Sequence, residues 1–226
     1  MSILDDQIAY YRARAPEYDD WFWRRGRYDR GQQHRDAWSA EIEVIRSALG
    51  LLTRDCDVLE LACGTGLWTH LISQTSRSVV AVDASPEAIS INRHRAESTN
   101  VEFVVADLFS WTPLQRFDLV FFSFWLSHVP PEHFTSFWNM VRTAVKPHGH
   151  VFFADSLLEQ SSTAVDHDPV DSTGIVNRKL NDGREFQIVK VFYRPDELEL
   201  RLRALGWSGW VRATETFFLY GALTPS

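Results

Sequence analysis

The chain has 226 residues, yet it holds only two cysteines, two methionines and three lysines, and it contains no long apolar run. The cysteines, Cys56 and Cys63, supply no disulfide framework and no CxxC pair, so zinc is not expected and a reducing, cytoplasmic setting fits. No apolar stretch approaches the ~18 residues of a membrane span. The stretch FDLVFFSFWL is too short for one and reads as a buried strand. The first twenty residues carry no apolar signal core, so neither a leader nor a membrane partner is expected. The formal net charge of −7 leaves no general affinity for nucleic acid. His34, His70, His94, His133, His148, His150 and His167 show no ligand spacing, so no metal is expected.

What is present is aromatic and arginine-rich. Lysine occurs only at Lys146, Lys179 and Lys190, and the other twenty basic residues are arginine. Nine tryptophans exceed what a small core needs and suggest an aromatic-walled pocket. A hydrophobic fraction of 45% supports a sizeable core, and the length fits one domain.

Residues 3–14 read as a helix interrupted by Pro16. Trp38, Ile42, Ile45 and Leu49 recur at helical spacing and predict a helix over about 36–49. Strands and helices then alternate. Strands are expected at 57–62, 78–83, 101–107, 117–123 and 150–155. Helices are expected at 67–75, after Ser85 as N-cap with Pro86 at the first helical position, and over PPEHFTSFWNMVRTAV up to Lys146-Pro147-His148-Gly149. Such alternation predicts a doubly wound α/β fold with a mostly parallel sheet. Residues 156–176 read as a polar loop, followed by a hairpin turning at Asn181-Asp182-Gly183. A helix opened by Pro195 and stopped by Gly206 precedes two closing strands, about 207–214 and 217–223.

The most specific pattern is Val58-Leu59-Glu60-Leu61-Ala62-Cys63-Gly64-Thr65-Gly66, a strand leading through glycines into a helix. Gly64 and Gly66 permit a sharp turn and close approach of a ligand, and such a turn at a strand's carboxyl end is where open α/β sheets bind nucleotides. Asp83 ends the next strand, placed to accept from two ribose hydroxyls. Asp107 ends the third, placed to take an adenine amino group. A dinucleotide fingerprint would need a third glycine where Thr69 stands. Cys63 reads as a small packing residue.

At these residues the chain resembles the class I S-adenosyl-L-methionine (SAM)-dependent methyltransferases. ELACGTG is similar to that family's first motif, VVAVDAS to its second and VVADLF to its third. The resemblance implies a Rossmann-like seven-stranded sheet with an antiparallel last strand, SAM as cofactor, S-adenosyl-L-homocysteine (SAH) as product, and no metal. It also implies a cofactor set of Tyr11, Tyr18, Glu60, Ala62, Gly64, Gly66, Trp68, Asp83, Ala84, Asp107, Leu108 and Ser123. YYRARAPEYD, FWLSHVP, LNDGREFQIVKVF and ALGW further resemble the phosphonate O-methyltransferase of dehydrophos biosynthesis and its relatives. That resemblance implies a small-molecule acceptor, an anionic oxygen of a phosphonate, phosphate or carboxylate, in natural-product metabolism. The segment DDWFWRRGRYDRG departs from the pattern, so the acceptor can differ.

The expected organisation is one domain over 1–226, with an amino-terminal lid (1–30) and a loop-and-hairpin cap (156–194), as a monomer or weak homodimer. Arg178 and Lys190, on opposite hairpin arms, are candidates to clamp the acceptor's anionic group, with Arg184 and Arg194 as alternative donors; the competing reading pairs them with Asp182 or Glu185. His128, after the fourth strand, is either a general base for an N- or hydroxyl-directed reaction or a local hydrogen-bonding residue. Trp23, Tyr28 and Trp125 are candidate acceptor contacts, and Trp125 has a core-filling alternative. Tyr11, Tyr18, Trp21 and Trp23 wall the sulfonium or pack the lid. Arg24, Arg25, Arg27 and Arg30 form either a solvated face or an entrance that attracts anions. A SAM-binding module without catalysis is the reading from another class.

Overall fold

The computed structural model describes residues 2–167 and 174–226. Alternation along five parallel strands divides the core between two sheet faces. Leu59, Leu61, Val82, Phe122 and Phe153 face one side, and Val58, Ala81, Phe121, Phe152 and Ala154 face the other. The strands are β1 (Asp57–Leu61), β2 (Ser78–Asp83), β3 (Val101–Val105), β4 (Phe117–Ser123) and β5 (Val145–Ser156). Helices α1 (Ile3–Arg14), α2 (Tyr18–Phe22) and α3 (Gln32–Gly50) precede the sheet. Helices α4 (Thr69–Ser73), α5 (Pro86–Ala96) and α6 (Phe134–Ala144) connect its strands. A hairpin, β6 (Ile175–Lys179) and β7 (Glu185–Val189), leads to α7 (Pro195–Ala204), β8 (Trp207–Ala213) and β9 (Phe218–Pro225).

The main sheet has seven strands in the order β3-β2-β1-β4-β5-β9-β8, with β9 antiparallel to both neighbours. The expected Rossmann-like architecture is therefore the one observed. The order reverses between β1 and β4, and a crevice outside the carboxyl ends at that switch point is where such sheets bind ligands. The hairpin forms a separate two-stranded sheet packed against α1.

Several boundaries differ from expectation. Helix α3 starts at Gln32, and α4 covers only Thr69–Ser73 because Gly64 and Gly66 take left-handed backbone before it. Lys146-Pro147-His148-Gly149 belongs to β5, whose pairing with β4 shifts register between Phe117 and Leu119. An irregular register accommodates a proline in a strand. Strand β7 ends at Val189, so Lys190 follows the strand instead of sitting inside it. Of the loop expected at 156–176, residues 168–173 lie outside the described residues. Four of the nine tryptophans, Trp38, Trp68, Trp138 and Trp207, fill the core at no more than 4% exposure and serve packing. Among the described residues no helix is long and apolar enough to cross a membrane.

Candidate active site

Two cavities of about 800 and 760 Å³, including their open mouths, meet at the carboxyl end of the sheet, and each is large enough for a small molecule. The first lies over the glycine turn. Nine of the expected cofactor residues line it: Tyr11, Tyr18, Ala62, Gly64, Asp83, Ala84, Asp107, Leu108 and Ser123. The second is lined by Arg14, Arg178, Lys190, Tyr28 and His167, among others. Tyr11, Tyr18, Phe124 and His128 belong to both and form the wall between them.

The glycine turn is held from behind. Gly64 donates its backbone N–H to Asp83 Oδ2 (2.8 Å) and Ser85 donates to Oδ1 (2.8 Å). These bonds fix the carboxylate at the mouth of the turn. Ala62 and Phe124, at the ends of β1 and β4, adopt positive φ of 53°, a conformation costly for residues with a side chain and common where a site imposes its own geometry. Asp107 accepts from Phe109 N–H through Oδ1 (3.0 Å), while Ala88, Leu108 and Phe109 supply an apolar slot beside it.

Three expected cofactor residues line neither cavity. Glu60 is buried and accepts from Thr69 Oγ1 (2.6 Å); Asn92 donates to Thr69 Oγ1 (2.8 Å) and to the Gly64 carbonyl (3.3 Å). Burial pushes the Glu60 carboxyl up to about 8. A Cβ on Gly66 would come within 2.2 Å of Asn92 Oδ1, so this glycine is needed for helix packing. Trp68 turns into the core against Phe22 and Phe121. All three brace the turn from beneath.

The second cavity carries positive charge. Arg178 is 7% exposed, and among the described residues it donates to the neighbouring Asn177 carbonyl (3.3 Å). Lys190 Nζ donates to Ser127 Oγ (2.8 Å), which donates to Asp155 Oδ1 (2.8 Å). Asp182 bonds Arg184 instead, so the partner expected for Lys190 among Asp182 and Glu185 is replaced by Asp155. Burial pushes Lys190 down to about 8, against the opposing pull of Asp155. Arg14, which pattern reading does not single out, sits over the rings of Tyr18 and Tyr10 and donates to Tyr28 Oη (3.3 Å).

His128 is 5% exposed, with Nδ1 2.7 Å from the Val189 carbonyl and Nε2 2.7 Å from Tyr11 Oη. A carbonyl only accepts, so Nδ1 carries the proton and Nε2 accepts from the phenol. Burial first, then the Lys190 charge, hold the imidazole well below its ordinary pKa, so it is neutral at pH 7. Gln7, another residue without a sequence signal, bridges the three segments: it donates to the His128 carbonyl (3.1 Å) and accepts from Val189 N–H (3.0 Å).

Three expectations for the acceptor side need correction. Trp23 is 43% exposed and packs on Phe22, away from both cavities. Trp125 lines the glycine-turn cavity beside Phe109. Arg24 is neither an entrance nor a solvated face: at 1% exposure it donates to the carbonyls of Trp21, Ser161 and Ser162 and stacks on Trp38 at 4.2 Å. With Arg27, which bonds Asp166 and the Lys179 carbonyl, it fastens the amino-terminal segment to the loop that walls the cationic cavity. Arg184 and Arg194 pair with Asp182 and Asp196 at the surface. Among the described residues no three His, Cys, Asp or Glu side chains gather as a metal site.

The glycine-turn cavity fits SAM on its own chemistry: a fixed carboxylate for a diol, a second acid beside an apolar slot for a purine, and aromatic faces at the cavity junction for a sulfonium. Comparison with known proteins agrees. Residues 58–149 match the family described as a methyltransferase domain. Nodulation protein S of Sinorhizobium fredii is 28% identical over 105 residues, which is 45% of this chain and 48% of that protein. Trans-aconitate 2-methyltransferase of Escherichia coli is 32% identical over 94 residues, 41% of this chain and 36% of that protein. The chain thus spans less than half the length of these curated relatives. The solved complex of DhpI with SAH is 42% identical, with a TM-score of 0.79 over 99% of this chain and 97% of that one. A complex of DhpI with SAM and HEP gives the same identity and TM-score. The two-cavity geometry and this full-length similarity lead to one conclusion: the chain belongs to the class I SAM-dependent methyltransferases.

Proposed function

We propose that this chain transfers the methyl group of SAM to an anionic oxygen of a small acceptor: a phosphonate, phosphate or carboxylate. The observation that carries the reading is the placement of Arg178, Lys190 and Arg14 in a cavity sharing one wall with the cofactor cavity. Bound SAM supplies a methyl carbon already activated by its positive sulfur. The protein's part is alignment and exclusion of water. Asp83 would hold the ribose and Asp107 the adenine, while Tyr11, Tyr18 and Phe124 flank the point where the two cavities meet. The cations orient the acceptor oxygen, which is already ionised at pH 7, so no proton has to be removed.

On this reading His128 is a positioning residue. Its lone pair is spent on the Tyr11 hydroxyl, and its low basicity suits a fixed acceptor better than a general base. The same contact supports a second reading, in which a hydroxyl or amine acceptor loses its proton to Tyr11 as Tyr11 passes its own to His128. The relative named trans-aconitate 2-methyltransferase is compatible with an anionic acceptor. Residues 1–30 act as a lid, and 156–194 as the cap of the acceptor site. The test is SAH release from labelled SAM with phosphonates, phosphates, carboxylates, phenols and amines; methylation confined to phenols or amines would overturn the anionic reading.

A further inference from the structure

We propose that Asp155 is a positioning residue for the acceptor: through the Ser127 hydroxyl it holds the Lys190 ammonium at a fixed point of the cationic cavity. This rests on the anionic-acceptor reading above and adds two residues that line neither cavity.

The arrangement follows from the sheet. Strands β4 and β5 run parallel, with Ser123 opposite Ala154. Asp155 is the next residue of β5, and Ser127 lies in the turn Leu126–His128 beyond β4. Each is 1% exposed. A carboxylate buried this deeply is costly unless its oxygens are bonded. Here Oδ2 accepts from Ser127 N–H (2.8 Å), and Oδ1 accepts from Ser127 Oγ (2.8 Å) and Ser156 N–H (2.7 Å). Lys190 Nζ lies 2.8 Å from Ser127 Oγ and 3.8 Å from Asp155 Oδ1. An ammonium only donates, and a hydroxyl has one proton to give. The chain therefore has one direction: Lys190 donates to Ser127, and Ser127 donates to Asp155.

Lys190 needs such a hold. Its charge sits at the end of a flexible four-carbon stem, and free rotation would spread it over the cavity. Ser127 grips this segment twice, because its carbonyl also accepts from Val191 N–H (2.8 Å). The Phe192 ring, 5.2 Å from Nζ, flanks the ammonium. Among the described residues, the charges acting on Lys190 come from three elements. Asp155 of β5 stabilises the ammonium, while Arg178 of β6 and Arg14 of α1 oppose it. His128, which feels the Lys190 charge, is itself neutral at pH 7. Burial brings Lys190 down to about 8 against the pull of Asp155. Without that pull the ammonium would be lost at lower pH.

A purely structural Asp155 would fasten the 126–128 turn to β5 and affect the acceptor whether or not Lys190 is present. Two measurements separate these roles. The chain has three lysines, so acetylation of Lys190 by acetic anhydride can be followed by mass spectrometry beside Lys146 and Lys179. In SAH-bound wild type its titration midpoint is expected at about 8. Asp155→Asn is expected to lower that midpoint by at least about one pH unit. Because this is a difference, any further acid near Lys190 shifts both midpoints alike.

The second measurement is a double-substitution cycle on KM, using whichever of ethylphosphonate, phenyl phosphate and benzoate the wild type methylates. Ser127→Ala is expected to raise KM at least about fivefold in wild type and less than about twofold in the Lys190→Met background. SAH affinity, expected unchanged, reports folding, and Ser127→Ala decides the matter where Asp155→Asn does not fold. A Lys190 midpoint unmoved in folded Asp155→Asn overturns the positioning role and leaves the anionic acceptor in place. So does a wild-type KM in Ser127→Ala, or a rise in KM that is as large in the Lys190→Met background. Methylation of none of the three acceptors by the wild type, with methyl transfer only to phenols or amines, overturns both readings together.

Discussion

The Tyr11 hydroxyl lies 2.7 Å from His128 Nε2, and the Val189 carbonyl lies 2.7 Å from Nδ1, so a neutral imidazole ties helix α1 to the hairpin at the wall shared by the two cavities. A histidine held this way orients a phenol and has little basicity to spare. With an anionic acceptor, His128→Asn is predicted to keep kcat within about tenfold of wild type. The substitution should leave the shape of the pH–rate profile between about pH 6 and 7 unchanged, because the imidazole is already neutral there. A hydroxyl acceptor would instead lose about 10²–10⁴-fold. Steady-state rates of both proteins across that pH range decide between the two.

Asp83 is the second test. Backbone N–H groups of Gly64 and Ser85 fix its oxygens, and on the proposed ribose role its removal would leave two cofactor hydroxyls without an acceptor. Asp83→Ala is predicted to weaken SAM binding by about 1–3 kcal/mol, roughly tenfold to a hundredfold. Unchanged affinity by calorimetry in a folded variant would remove the ribose assignment.

The anion clamp has a pH signature. Lys190 carries its charge below about 8 and loses it above. The acceptor's KM is therefore predicted to rise as pH passes upward through that value. Lys190→Met and Arg178→Met should each raise KM by more than about tenfold without altering SAM affinity. In Lys190→Met the rise with pH should vanish, and if it persists, another group is titrating.

The lid is predicted to respond to ligand. Limited proteolysis should cut the segment 1–30 more slowly with SAH bound, and its deletion should abolish turnover while the sheet remains folded. Arg24→Met removes three buried carbonyl contacts and is predicted to cost about 3 kcal/mol, a Tm drop of roughly 6–12 °C. Equal cleavage with and without SAH would count against a lid, and an unshifted Tm against the role of Arg24.

The lining of the glycine-turn cavity is legible in the sequence because its residues are local. Gly64, Asp83 and Asp107 each sit at the end of a strand that the apolar pattern marks, and a parallel sheet brings strand ends together. What the pattern does not resolve is which side of the turn a residue faces: the resemblance implies Glu60, Gly66 and Trp68 as cofactor residues, whereas in the structure they brace the turn from below. The acceptor side was harder because it is assembled from distant segments. Gln7, Tyr10, Tyr11 and Arg14 share one helical face by spacing, yet that face is polar and aromatic, so it gives no apolar stripe. Its burial depends on a hairpin some 170 residues later in the chain. The burial of Arg24 is invisible to local pattern for the same reason: the carbonyls it donates to, Ser161 and Ser162, lie far along the sequence.

The central claim is methyl transfer to an anionic oxygen, and identifying the product tests it most directly. The protein would be incubated with methyl-labelled SAM and the acceptor panel, and labelled products resolved by mass spectrometry alongside SAH. The account predicts label in a monomethyl ester of a phosphonate, phosphate or carboxylate, formed without any metal added. Label found only on a nitrogen or a neutral hydroxyl, or tight SAM binding with no transfer to any member of the panel, would contradict it.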